Sequence, residues 1–138
     1  MKTGTKILSI VLFSAVTLFT SVGCSKYDDN DGITLISRSE RVANTWKIDS
    51  YKVDGVDFTP LYSGYTETYT KEKNYSYQWG LLSGTGTWAF QNNDEELKVT
   101  GISNQATHTQ VILKLEEKAL WYYIMDGDSK REFHFTQN

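Results

Sequence analysis

Short runs of aromatic and β-branched residues, separated by turn residues, fill this chain from residue 45 to its end, and they constrain its fold more than any other feature. Val, Ile, Thr, Tyr, Phe and Trp favour strands, whereas Gly, Asn and Asp mark turns. The runs cover residues 45–53, 65–70, 75–82, 85–91, 96–102, 107–115, 120–125 and 131–137. This pattern of eight runs predicts an all-β domain.

The connections between the runs limit how the strands pair. Asp54-Gly55 follows the first run, Ser83-Gly84 separates the third from the fourth, and the longest link spans 56–64. Parallel neighbours need a crossover of a dozen or more residues. We therefore expect an eight-stranded antiparallel up-and-down meander that closes into a barrel, since closure removes the exposed edges of an open sheet.

Large apolar residues alternate with polar ones along most runs, as in a sheet with one face in the core. The residues that share the inward parity are Trp46 and Ile48; Tyr75, Tyr77 and Trp79; Trp88 and Phe90; Leu97 and Val99; Val111, Leu113 and Leu115; Leu120, Tyr122 and Ile124; and Phe133 and Phe135. In the Thr-rich second run we expect Glu67 to face solvent. Ahead of the barrel, residues 33–44 predict a short N-terminal helical turn with Ser39 as its N-cap.

The start of the chain reads as a secretory signal. Lys2 and Lys6 precede an apolar stretch over 7–19, which is shorter than the roughly 20 residues that span a bilayer as a helix. The chain's single cysteine, Cys24, stands where cleavage is expected.

Ser21-Val22-Gly23-Cys24 resembles the lipobox of bacterial lipoproteins, in which the cysteine is acylated and becomes the new N-terminus. The resemblance implies a membrane anchor on Cys24, each buried methylene contributing about 0.8 kcal/mol. The acidic run 25–32 resembles the sequence after the acylated cysteine in surface-exported lipoproteins of Bacteroides-type bacteria. It implies an outer-membrane protein exposed at the cell surface, with the periplasmic face as the alternative. The expected segments are a signal peptide over 1–23, a lipidated cysteine and acidic tether over 24–40, and a barrel domain over 41–138.

Asn44-Thr45-Trp46, the Asp54-Gly55 turn and Gly84-Thr85-Gly86-Thr87-Trp88 resemble the corresponding elements of bacterial lipocalin-like lipoproteins, over residues 42–135. The resemblance implies a cup-shaped barrel that binds a small, largely apolar ligand, with Trp46 closing the floor and Arg131 packing on it. The candidates for lining the ligand site are Trp46, Tyr77, Trp79, Trp88, Tyr122 and Phe133. A barrel filled by these large side chains is the alternative.

A second hypothesis is a non-catalytic accessory subunit that docks a protein complex at the outer membrane. The seventh run is apolar on both faces, because Trp121 and Tyr123 have the opposite parity to Leu120 and Tyr122. Such a strand needs either a cover, for which residues 35–36 are available, or a partner. The candidates for the partner surface are Tyr65, Tyr69, Trp121 and Tyr123.

Motif spacing and composition give little support for catalysis. A single cysteine excludes disulfides and multi-cysteine zinc sites, and His108 and His134 stand far apart. No Gly-x-Ser-x-Gly elbow occurs. The formal net charge of -3 argues against a nucleic-acid partner. We therefore expect no enzyme, no metal site and no cofactor.

Overall fold

A computed structural model describes residues 35–102 and 106–138 of the chain. The elements are helix α1 (Arg38–Val42), strands β1 (Thr45–Val53) and β2 (Val56–Asp57), a 3-10 helix (Thr59–Tyr62), and strands β3 (Thr66–Tyr69), β4 (Asn74–Trp79), β5 (Leu82–Gln91), β6 (Glu96–Ile102), β7 (Ala106–Leu115), β8 (Ala119–Asp126) and β9 (Ser129–Gln137). The predicted signal peptide, Cys24 and the tether up to residue 34 lie outside the described residues.

The strands form one antiparallel sheet that closes on itself. From β3 onward each strand pairs with the next, β1 pairs with β3, and β9 pairs back with β1 from Trp46↔Gln137 to Val53↔Arg131. The two-residue β2 only extends the end of β1. Eight strands therefore make the barrel, and the predicted all-β meander is confirmed.

One of the connections between strands, the turn between β4 and β5, lies at a different position from the predicted one. Asp54 and Gly55 both have positive φ, 49° and 83°, as the expected two-residue hairpin turn requires. The turn between β4 and β5 instead lies at Gly80, with φ 57°, and the next residue, Leu81. The prediction of a turn at Ser83-Gly84 is wrong, since both residues pair with β4.

Helix α1 is also capped two residues earlier than predicted. The Ser37 hydroxyl accepts from the Glu40 backbone N–H at 3.3 Å, and the Glu40 carboxylate accepts from the Ser37 N–H at 3.1 Å. This reciprocal capping box makes Ser37 the N-cap, where Ser39 was expected. Helix α1 thus spans the predicted domain boundary at residue 41. Within the described ranges, no helix has both the length and the apolarity needed to cross a membrane.

A β-bulge in β7 reverses the predicted parity of that strand. The pairing register with β8 shifts between Ile112 and Lys114. Before the shift, Gln110 is buried and Ile112 packs on the core; after it, Leu115 is buried. Val111, Leu113 and Leu115 therefore do not share one face, as the sequence pattern had suggested.

Candidate functional site

One end of the barrel is sealed by α1. The Trp46 indole N–H donates to the carbonyl of Val42 at 3.0 Å, and both side chains are fully buried. Across the same end, the Arg41 guanidinium donates to the carbonyl of Leu115 at 3.1 Å. Trp46 thus lies at the closed floor. Arg131 pairs with Val53 at the opposite end of β1, so the expectation that it packs on Trp46 is wrong.

The other end of the barrel holds an internal cavity of about 270 Å³. Aromatic side chains form much of its wall, among them Tyr65, Tyr77 and Phe133. Ile102 and Ile124 add aliphatic surface. A volume near 150 Å³ holds one benzene ring, so this cavity has room for a molecule of about two fused rings.

Polar groups occur at two levels of the cavity. Arg131 and Asp126 form an ion pair at the β8–β9 hairpin, where both are partly exposed, and His108 lies on the β7 side. At the inner level lie Glu67 and Gln110, with exposed fractions of 2% and 1%. They are the buried polar side chains of the described part of the chain.

Four tyrosine hydroxyls converge on the carboxyl group of Glu67. Those of Tyr65, Tyr75 and Tyr122 lie 2.8, 2.9 and 2.8 Å from Oε1. The hydroxyl of Tyr69 lies 2.7 Å from Oε2. A buried carboxyl group requires such hydrogen bonding, since burial without partners is costly.

Gln110 extends this network to the far side of the barrel. Its Oε1 lies 2.9 Å from the Tyr69 hydroxyl, which therefore stands between two oxygen atoms, Glu67 Oε2 and Gln110 Oε1. A phenol carries one hydrogen and donates to only one of them. With a proton on Glu67 Oε2, the carboxyl group donates to Tyr69 and Tyr69 donates to Gln110. With the Gln110 oxygen placed against Tyr69, the neutral acid is thus the state in which every contact carries a hydrogen.

Electrostatics favours the same protonation state. Burial raises the pKa of the Glu67 carboxyl group above its ordinary value and outweighs the opposing effect of the tyrosine hydrogen bonds. Burial, followed by the proximity of Glu67, also raises the pKa values of Tyr65, Tyr69, Tyr75 and Tyr122. Burial thus favours the protonated form of each group in the cluster.

A larger depression, of about 530 Å³, lies on the outer face of the sheet. Outward-facing hydroxyl residues such as Thr85, Thr87 and Thr100 line it. It is open to solvent and lacks the buried polar groups of the inner cavity. We therefore place the candidate site inside the barrel, where a ligand leaves water and meets fixed partners.

Three of the six predicted lining residues face the cavity: Tyr77, Tyr122 and Phe133. Trp46 and Trp88 are instead buried parts of the core. Trp79 stacks on Tyr62 of the 3-10 helix, with ring centroids 4.7 Å apart.

The predicted partner surface divides between the inside and the outside of the barrel. Tyr65 and Tyr69 point inward to Glu67, so the prediction for them is wrong. Trp121 and Tyr123 are half-buried on the outer side of β8; Trp121 stacks on His134 at 4.2 Å and Tyr123 lies under Lys130 at 4.8 Å. Leu35 is 96% exposed and Ile36 is exposed as well, so these two residues do not cover β8 as expected.

Sequence reasoning missed both inner polar residues, Glu67 and Gln110. Glu67 shares its parity with Tyr65 and Tyr69, which are inside, whereas Thr66 and Thr68 lie on the opposite parity. That shared parity was the available signal. Gln110 carried no comparable signal, because the bulge in β7 is not evident from residue types.

The chain matches no known family, and no curated protein matches it either. Within 35–102 and 106–138, no group of three or more His, Cys, Asp and Glu side chains is placed to hold a metal ion.

Exposed apolar side chains are concentrated at the cavity end of the barrel. Val56 and Leu61 follow β1, Leu81 lies in the β4–β5 turn, Leu82 begins β5, and Met125 lies near the end of β8; each is more than half exposed. All five lie at the end opposite α1, as the strand directions require.

Proposed function

We propose that this protein binds a small, largely apolar molecule inside the barrel and catalyses no reaction. The observation that supports the proposal is the internal cavity of about 270 Å³ at the end opposite α1. Its wall is aromatic and aliphatic, and its polar groups are few and fixed by hydrogen bonds, as in sites that bind small molecules.

A direct test is the binding of 2-ethylnaphthalene, a two-ring hydrocarbon of suitable size, followed by its fluorescence. We expect saturable binding to the full chain. Ile124→Trp, which places a large ring in the cavity, should weaken binding at least tenfold, whereas Thr87→Trp on the outer face should not. Equal binding by the two variants, or none by the unmodified protein, would contradict the proposal.

We propose further that the protein is held at the outer membrane through an acylated Cys24 and is exposed at the cell surface. The supporting features are the lipobox-like Ser21-Val22-Gly23-Cys24 and the acidic run after it. Cys24→Ala should move the protein from the membrane fraction to the soluble fraction. An unchanged membrane fraction would contradict the anchor. Protection of the unmodified protein from protease added to intact cells would contradict surface exposure.

A further inference from the structure

The inner end of the cavity presents an unused hydrogen-bond donor. Gln110 is 1% exposed and lines the cavity, and its Oε1 is engaged by Tyr69. Its Nε2 has no hydrogen-bond partner among the residues that the structure describes. An amide nitrogen carries two hydrogens, and this one borders the cavity instead of being enclosed by protein atoms, so a group inside the cavity can reach it. The side chain is therefore prepared to donate to a group that enters the cavity.

The structure places Oε1 of Gln110 against the Tyr69 hydroxyl, which leaves Nε2 toward the cavity. A proton on Glu67 Oε2 agrees with this orientation, because Tyr69 then donates to the Gln110 oxygen. With Glu67 neutral, no buried negative charge is available to pair with a cation. The inner end of the cavity thus offers N–H donors and has no net charge.

Resting on the proposed function, we propose that the ligand is an uncharged apolar molecule with one hydrogen-bond acceptor, of the carbonyl type, which Gln110 Nε2 binds at the inner end of the cavity. The aromatic side chains of Tyr77, Tyr122 and Phe133 pack against its body. The ion pair of Arg131 and Asp126 stays at the solvent-facing end of the cavity and neutralises itself.

The titratable groups around this contact come from several strands. Tyr65, just before β3, and Tyr69 on β3 face Glu67, as do Tyr75 from β4 and Tyr122 from β8. All four hydroxyls stay protonated at neutral pH. His108 on β7 lines the same cavity. None of the four tyrosines introduces a charge that would attract an ammonium group.

Three probes of nearly equal shape test the ligand class: 2-acetylnaphthalene, 2-ethylnaphthalene and 1-(2-naphthyl)ethylamine. They end in a carbonyl, an alkyl and an ammonium group. We expect the full chain at pH 7 to bind the ketone about tenfold more tightly than the hydrocarbon, as one buried hydrogen bond allows, and the amine most weakly. Equal affinity for ketone and hydrocarbon, or a preference for the amine, would overturn the carbonyl proposal and leave cavity binding intact. Binding of none of the three would overturn cavity binding as well.

Gln110→Met supplies the matched variant. It keeps the length of the side chain and removes the amide, so it should remove the tenfold preference while 2-ethylnaphthalene still binds. Retention of the preference in this variant would overturn the role of Gln110. Bound 2-ethylnaphthalene also reports that the variant is folded. Gln91→Met, at a glutamine on β5 that does not line the cavity, is the control and should leave the preference unchanged.

Discussion

The hydroxyl of Tyr69 lies 2.9 Å from Oε1 of Gln110, although the two residues are 41 positions apart. Tyr69 belongs to β3 and Gln110 to β7, which stand on opposite sides of the eight-stranded barrel. The contact therefore crosses the interior. Together with Glu67 it separates the sealed apolar end of the barrel from the cavity, so one polar cluster both braces the fold and forms the inner wall of the candidate site.

Glu67→Gln should preserve this cluster. The amide oxygen can accept from the tyrosines that contact Oε1, and the amide nitrogen donates to Tyr69 as the neutral acid does. We expect the free energy of unfolding at pH 7, measured by urea denaturation, to fall by no more than about 1 kcal/mol or to rise, because at this pH the unfolded unmodified chain releases the Glu67 proton and the variant has none to release. Glu67→Ala leaves four tyrosine hydroxyls without their hydrogen-bond partner and creates a void. It should lower the free energy of unfolding by about 3 kcal/mol or more. Equal losses in the two variants would contradict a neutral Glu67.

Stability should also fall with rising pH because of Glu67. Its pKa is raised in the folded state, so above the ordinary value of 4.5 the folded protein binds this proton more tightly than the unfolded chain does. The contribution is fully present below pH 4.5 and is lost as pH rises toward the folded-state pKa, by up to about 1.4 kcal/mol per pH unit.

The difference in unfolding free energy between the unmodified protein and Glu67→Gln isolates this effect. Carboxylates with lowered pKa, such as Glu132 and Asp57, act in the opposite direction but are common to both proteins. Urea denaturation at several pH values above 4.5 should show the two curves diverging. Parallel curves would mean that Glu67 has the same pKa in the folded and unfolded states.

The sequence predicted the fold better than it predicted the candidate site. Alternation and turn residues predicted β1 and β6 with the observed bounds, because each strand opens with clear alternation, and a register shift then moves burial to Tyr51 and Ile102. In β3 neither face is clearly apolar. Glu67 lies on one face together with the tyrosines, and the threonines lie on the other, so hydropathy alone does not show which face is buried. In β7 a single extra residue reverses the parity, and this bulge depends on packing between strands.

Tyrosine ionisation offers an independent view of the cluster. Burial and the proximity of Glu67 raise the pKa of Tyr65, Tyr69, Tyr75 and Tyr122, and burial raises that of Tyr51 to about 12. At pH 11, absorbance at 295 nm should therefore show at least five of the nine tyrosines un-ionised while circular dichroism is still native. The control is the protein unfolded in urea at the same pH, in which all nine tyrosines should ionise and give the full change in absorbance at 295 nm. Full amplitude without urea, in a folded protein, would contradict the burial of these hydroxyls.

The sealed end should depend on Trp46. Trp46→Phe removes the indole donor to Val42 and leaves a void in a fully buried position, so we expect a loss of about 2–3 kcal/mol of unfolding free energy. Trp121→Phe, on the outer side of β8, is the matched control and should cost less than about 1 kcal/mol. Urea denaturation followed by circular dichroism measures both. A cost for Trp121→Phe equal to that for Trp46→Phe would contradict the assignment of the floor.

Binding of a small molecule inside the barrel is tested most directly by native mass spectrometry of the full chain produced in its own host. We predict a population heavier than the polypeptide and any acyl modification by one small, uncharged molecule, and loss of that extra mass in Ile124→Trp. A protein of bare mass, or an adduct that persists equally in Ile124→Trp, would contradict ligand binding in this cavity.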